Sequence, residues 1–422
     1  METGYSPPFF SGVNGSRQGK CKEDKTMQKT LDVKLARILK DRSCNDFILA
    51  DAKDPDMAYG LAAPGKSPEQ YGSEAKFKTL DEMRQQIREI IAQGLVDIML
   101  MSASTSEILA LREGLFVNSP ITPAIRANDA TDIWLAGTGA VYGSLPSRPF
   151  RTATLDHALC GKAECTPEER TSGRGTDLGL YSITFNNNLE RDFQALLAYN
   201  EFRLEAEKKH FRHFLEVFSP NACEPNCPSD IPTFVNNHIV RALAGVTSAG
   251  RPVFLKIPYY GPKAMEELVR YDSQLVVGIL GGSAGTTYDA FKMLYDAKKY
   301  GARVALYGRK INNAEHQLTF IQYLRNIADG NIGPEEAVKA YHGDLQKLNI
   351  RAHRSLEDDM KSMATSDSYN AKPADGKSTV VKPSAPAGGT KPARGKYELP
   401  DFSKMTPAEK LQWNLDRIRK SF

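Results

Sequence analysis

The feature that most constrains this chain is a rhythm of short apolar runs separated by longer amphipathic stretches. The runs are Phe47–Ala50, Val96–Met101, Ile121–Ile125, Leu178–Phe185, Phe211–Phe218, Val253–Ile257, Leu275–Leu280 and Arg303–Tyr307. Helical spacing fills most of the gaps. Met83, Ile87, Ile90 and Ile91 recur along Thr79–Ala92, and long helical stretches follow at Leu189–Lys209 and at Phe234–Ala244, which Gly245 ends. Pro262–Tyr271, Thr287–Tyr300 and Ala314–Ala328 complete the series. Such alternation is the mark of βαβ units and a parallel sheet. Eight runs fit a closed (β/α)8 TIM barrel, an α/β fold that needs roughly 250 residues. An open doubly wound sheet is the structural alternative.

The 422 residues leave room for appendages. Residues 1–28 are rich in Pro, Gly, Ser and Lys, lack the apolar stretch of a secretory signal, and read as a disordered arm. The barrel is expected over 29–350 and a flexible Lys/Pro/Ala/Gly linker over 351–402. An amphipathic docking helix is expected over 403–422. There Thr406 and Glu409 make a capping box around Pro407, and Leu411, Leu415, Ile418 and Phe422 form one stripe. A helix at 405–422 suits a protein partner's groove; folding back onto the barrel is equally open. Between the third and fourth runs, Leu135–Asp177 is irregular, and both a lid and an oligomer contact remain open.

The formal net charge of +4 lies partly in the tail, and no nucleic-acid motif is evident. No stretch approaches the roughly 20 apolar residues of a membrane span. Six scattered cysteines do not make a disulfide framework and are expected as free thiols in a reducing cytoplasm. Cys223 and Cys227 lack the second pair or the histidine that zinc requires, so no metal is expected.

The sixth run, Val253-Phe254-Leu255-Lys256-Ile257, carries the chemistry. Alternation turns Phe254 and Lys256 to one face and Val253, Leu255 and Ile257 to the other, which would pack on the outer helices. An ammonium inside a barrel is expensive, which favours the neutral amine that attacks carbonyls. On the fifth run Phe214, Glu216 and Phe218 share a face, putting a carboxylate near Lys256. The seventh run ends in Gly281-Gly282-Ser283 and the eighth in Gly308-Arg309. Glycine loops and helix N-termini after these two strands are the recurrent phosphate seat of the fold. Arg126 ends the third run, where it could reach a substrate group or pair with a barrel carboxylate. His213 alternates away from Glu216 and reads as structural.

The stretch Val276–Gln317 resembles the Schiff-base (class I) aldolases of archaea and bacteria, the fructose-bisphosphate and tagatose-bisphosphate type. The likeness rests on Gly281-Gly282, Asp289 and Phe291, Gly301-Ala302, and Gly308-Arg309 with Ile311. It runs more faintly back to Asp51 and fails in Leu135–Asp177. The resemblance implies that Lys256 is the Schiff-base lysine, that Gly281, Gly282, Gly308 and Arg309 cradle phosphate, and that Asp51 is the acid after the first strand. Phe218 stands where the fructose-bisphosphate enzymes place a tyrosine, and Glu216 looks like the glutamate of the tagatose-bisphosphate enzymes. The expectation is a cofactor-free, metal-independent carbon–carbon lyase of carbohydrate metabolism. Its catalytic set is Lys256, Glu216 and Asp51, its substrate a sugar phosphate or keto-acid, its assembly a homo-oligomer. Its place is the cytoplasm or a protein-shelled compartment. The alternative is a non-catalytic phosphosugar-binding or assembly protein on the same scaffold.

Overall fold

The computed structural model describes residues 27–65, 77–135, 140–282, 285–363 and Thr406. The chain divides into two units, Met1–Val381 and Lys382–Phe422. The second contributes only Thr406 to the described residues, and every described strand and helix belongs to the first. Residues 1–26 of the expected arm, the linker beyond Met363 and the expected terminal helix apart from Thr406 lie outside the described residues.

Ten strands are described: β1 (Ile48–Lys53), β2 (Ile98–Met101), β3 (Thr122–Arg126), β4 (Asp129–Ala130), β5 (Pro149–Phe150), β6 (Leu178–Thr184), β7 (Arg212–Phe218), β8 (Leu255–Ile257), β9 (Val277–Leu280) and β10 (Val304–Tyr307). Eight of them close in the order β1-β10-β9-β8-β7-β6-β3-β2, every neighbour parallel, and this is the TIM barrel. The remaining two, β4 and β5, form a small antiparallel ribbon. The open-sheet alternative is thereby excluded.

Strand alternation sorts the core into two populations. Ile48, Ala50, Ile98, Leu100, Ala124, Leu180, Phe214, Phe254, Val304 and Leu306 fill the barrel. Leu49, Met99, Ile125, Tyr181, Leu215, Leu255, Ile279 and Tyr307 face the helices. Phe214 and Phe254 stack inside, with ring centroids 4.6 Å apart.

The floor is closed by a helix that the eight-run pattern does not include, Thr30–Lys40. Its buried residues Leu31, Leu35 and Ile38 join the interior cluster, so it plugs the N-terminal end of the barrel. Asp97 ties that plug to the wall. One of its carboxylate oxygens accepts the Leu49 amide at 2.9 Å, the Lys34 ammonium at 2.8 Å and the Arg325 guanidinium at 3.2 Å.

The Leu135–Asp177 stretch is more ordered than expected. Beyond β5 it carries helices Leu155–Cys160 and Pro167–Thr171, the second with a Thr166–Glu169 capping box. The free-thiol expectation is also corrected. Cys160 is bonded to Cys165 and Cys223 to Cys227, because both loops double back within five residues; Cys44 is free and Cys21 lies outside the described residues. Among the described residues no group of ligands could hold a metal ion, and no helix is long and apolar enough to cross a membrane.

Asp97 is 3% exposed and joins three elements, so removing its charge strands Lys34 and Arg325. Asp97→Asn should lower stability by about 3 kcal/mol, read as a lower urea midpoint at an unchanged slope.

Candidate active site

The barrel interior changes character toward its C-terminal rim. Above the apolar layer lies a polar one, contributed by five strands: Asp54 just beyond β1, Arg126 on β3, Ser182 on β6, Glu216 on β7 and Lys256 on β8. All five are at most 7% exposed. Ala130, Ile133, Phe218 and Leu280 form an apolar cluster from elements at this same rim.

Glu216 and Lys256 occupy the same register level on adjacent strands. Their side chains meet, with Lys256 Nζ 2.6 Å from Glu216 Oε1. The other carboxylate oxygen accepts Ser182 Oγ–H at 2.7 Å and lies 3.6 Å from the Arg126 guanidinium. Arg126 donates in turn to Ser182 Oγ at 3.1 Å and to Asp54 Oδ2 at 2.5 Å. Asn128 locks the Ser182 backbone, its amide nitrogen donating to the Ser182 carbonyl at 2.9 Å and its oxygen accepting the Ser182 N–H at 2.6 Å. The result is a continuous chain of charge-assisted contacts from Lys256 to Asp54. Buried charges are tolerated only when paired in this way.

Three expected residues, Lys256, Glu216 and Arg126, are therefore brought together. Asp51 is not. In β1 the inward residues are Ile48, Ala50 and Ala52, which turns Asp51 and Lys53 outward beneath the helices. Asp51 lies 3.5 Å from Lys53, and the Lys53 ammonium donates to Gln317 Oε1 at 2.9 Å. Burial pushes the Asp51 carboxyl up to about 6, against the pull of Lys53. The acid that reaches the interior from this strand is Asp54, three residues on. Asp54 and Ser182 were both missed by sequence reasoning. Ser182 was legible as a polar residue in phase with Leu178 and Leu180 on β6.

Lys256 pairs in register with Gly278 on β9, so the glycine turn at Gly281-Gly282 starts three residues, about 10 Å, further toward the rim. Gly282 adopts a left-handed conformation (φ +60°). Gly281 has a packing reason to be glycine, since a Cβ there would come within 2.3 Å of the Tyr307 ring. Ser283 lies outside the described residues. Gly308 lies against β1, and Arg309 is half-buried, its guanidinium 6.0 Å from the centroid of the Tyr59 ring. Lys310 joins the two loops, donating to the carbonyls of Gly285 at 2.6 Å and Thr286 at 3.1 Å.

The helix end behind the glycine turn differs from the expected open anion seat. The Thr287 N–H is taken by Asp359 Oδ1 at 2.8 Å, and Asp289 caps the Thr286 N–H at 2.9 Å. Asp359 is anchored by His342 Nε2 at 3.0 Å. The segment after the last long helix thus brings the protein's own carboxylate to this helix N-terminus. His213 sits where alternation puts it, among outer aromatics against Tyr199, and burial pushes it down to about 3.

No family model matches the chain. A curated relative, 2-amino-3,7-dideoxy-D-threo-hept-6-ulosonate synthase 1 of Archaeoglobus fulgidus, is 32% identical over 91 residues, 22% of this chain. The match spans about a third, 34%, of that relative's length. Structural neighbours are fructose-bisphosphate aldolases. An archaeal fructose 1,6-bisphosphate aldolase superposes with a TM-score of 0.50 at 15% identity, covering 70% of this chain and 99% of its own. The fructose-bisphosphate aldolase of Slackia heliotrinireducens gives 0.53 at 14% identity, covering 74% and 90%. At such identities the likeness establishes the barrel, not the reaction.

Asp129, at the rim beyond β3, is 2% exposed and its carboxyl is pushed up to about 6. Burial is the chief cause; Arg126 opposes it, while Asp54 and Asp56 add to it. Unfolding returns the group to about 4. Between these values the folded chain holds a proton that the unfolded chain has released, so this group's contribution to stability falls as pH rises through that window and is constant above it. Asp129→Asn should remove that part of the slope, gaining on the parent by on the order of 2 kcal/mol between pH 4 and pH 7, measured by urea unfolding at several pH values.

Proposed function

We propose that this protein is a carbon–carbon lyase of the Schiff-base aldolase type, acting on a phosphorylated ketose or keto-acid. The observation that carries the reading is the 2.6 Å contact between a barrel-interior lysine and a glutamate at the C-terminal end of adjacent strands. Barrel enzymes place their chemistry at that end.

In this reading Glu216 takes a proton from the Lys256 ammonium. The freed amine attacks the substrate carbonyl carbon, giving a carbinolamine. Glu216 then returns its proton to the departing hydroxyl, which leaves as water. The resulting iminium draws the electron pair of the breaking carbon–carbon bond, so nitrogen supplies the electron sink. Cleavage also requires a base for the hydroxyl proton on the carbon beyond. Glu216, deprotonated again, fills that role, with Asp54 acting through Arg126 to hold the carboxylate in place. The substrate phosphate is assigned to the backbone of Gly281-Gly282 and Gly308 and to the Arg309 guanidinium. The end of helix Thr287–Lys299 is already capped by Asp359 and Asp289, so it adds little.

One observation favours a second reading, a non-catalytic phosphosugar-binding barrel: Lys256, Glu216, Arg126 and Asp54 already neutralise one another as ion pairs without any ligand. Borohydride reduction decides between them. Incubation with dihydroxyacetone phosphate or pyruvate followed by reduction should leave an adduct on the Lys256 peptide, absent in Lys256→Met. Glu216→Gln should cut turnover roughly 100- to 10,000-fold, and a chelator should leave it unchanged. Reduction that labels no lysine with any carbonyl substrate tried, or labels one other than Lys256, would favour the binding protein.

A further inference from the structure

Outside the barrel a cavity of about 420 Å³ lies between helix Pro334–Lys347 and the segment that follows it. That volume suits a small organic ligand. Lys339 and His342 line it from the helix, Arg351 and Arg354 from the following segment, and Leu345 and Ile350 add apolar wall. No carboxylate is among its lining residues, and neither Glu336 nor Glu357 reaches it. The other acids nearby in sequence are engaged elsewhere. Glu335 accepts the Tyr288 hydroxyl, Asp344 the Lys347 ammonium and Asp358 the Lys361 ammonium, each at 2.8 Å. Cationic side chains gathered at one cavity give it a positive field that favours an anion. Arginine forks add the geometry that phosphate oxygens fit.

The cavity is joined to the glycine turn. His342 is 7% exposed, and its Nε2 lies 3.0 Å from Asp359 Oδ2. The other Asp359 oxygen accepts the Thr287 N–H at 2.8 Å, at the helix end behind Gly281-Gly282. Three further bonds fasten the same segment there. Thr286 Oγ1 donates to the Lys361 carbonyl at 2.9 Å, and the Ser362 hydroxyl and Met363 N–H donate to Asp289 at 2.9 and 3.0 Å. One strap, residues 350–363, therefore carries part of the cavity wall and also the carboxylate that fills the helix end.

We infer that this cavity is an effector site for a small organic phosphate, and that its occupant clamps the strap, with Asp359, onto the helix end. A phosphate held by Lys339 on the helix and by Arg351 and Arg354 on the strap ties the two walls together. The clamped strap keeps the Asp359 carboxylate behind the glycine turn, where a second anion is repelled. Effector and substrate phosphate therefore oppose each other, and by linkage each weakens the other equally. The effector site stands apart from the aldolase reading; only its consequence for turnover rests on that reading.

The test is calorimetric titration of the full chain with inorganic pyrophosphate, in metal-free buffer at constant ionic strength. Saturable binding is expected in the parent. Lys339→Glu/Arg351→Glu should weaken it at least roughly 30-fold, the loss of two charge-assisted contacts. Both positions are exposed, so the far-UV spectrum and melting point should hold. Arg309→Ala, which alters the rim seat assigned to the substrate, should leave this site intact, so failure here and failure of the aldolase reading are separable. Hydrogen exchange in the parent adds a second measurement. Saturating pyrophosphate should slow the amides of Thr287 and of Asp359–Met363, and should leave them unchanged in the charge-reversed variant. A parent that binds no pyrophosphate up to roughly 10 mM would overturn the inference, as would binding that survives the charge reversal. Binding abolished by Arg309→Ala would place the anion at the rim instead, and binding that leaves the strap amides unprotected would remove the clamp; either result overturns it.

Discussion

Everything at the rim of this barrel depends on two opposite charges held at one level of adjacent strands. Glu216 and Lys256 are register partners, and strand alternation turns both inward, in phase with Phe214 and Phe254. Either charge alone would be prohibitive there. Together they set the demand that the surrounding polar layer meets: Ser182 and Arg126 complete the carboxylate, and Asp54 neutralises the guanidinium. Asn128 fixes the backbone from which Ser182 donates.

How much of this was legible in the sequence depended on alternation. Where a strand carries one polar residue among apolar ones, as at Glu216 in Phe214–Phe218 or Lys256 in Phe254–Ile257, the face can be read and agrees with the structure. In β1 the pattern misleads. All six residues of Ile48–Lys53 are buried, and the small alanines face in while Asp51 and Lys53 face out. A barrel strand beneath a helical layer has no wet face, so its phase is readable only where a polar residue stands out on one side, and in β1 polar residues alternate with small alanines that do not mark the interior. The floor helix failed for another reason. Leu31, Leu35 and Ile38 have helical spacing, but Lys29 provides no side-chain cap to announce the start. The cysteine pairs depend on loops folding back, which spacing alone does not disclose.

The two glycine turns illustrate how one motif can serve two ends. Gly281 is required by the Tyr307 ring and Gly308 by the close approach of Ala52, so neither glycine by itself argues for a ligand. The nearby helix end is filled by Asp359, and Lys310 holds the loops together from behind. An anion seated at these turns must therefore draw on loop amides and Arg309 rather than on the helix dipole. Such a seat would be weaker than one built on an open helix N-terminus, and in the proposed reading the substrate's other contacts would matter more.

In the proposed reading those contacts fall on the ion pair, which would narrow what can enter. Prising Lys256 from Glu216 without replacement would strand two buried charges, at a cost of about 3–5 kcal/mol. A purely apolar guest cannot offset that. A carbonyl flanked by hydroxyls can, because its hydroxyls donate to the Glu216 carboxylate while its carbonyl oxygen accepts from Lys256. In the proposed reading the pair would therefore favour a hydroxylated carbonyl compound over an apolar guest before any covalent step. In the proposed reading a keto-acid such as pyruvate offers its carbonyl oxygen to Lys256 but no hydroxyl to Glu216, so a ketose matches the pair more fully.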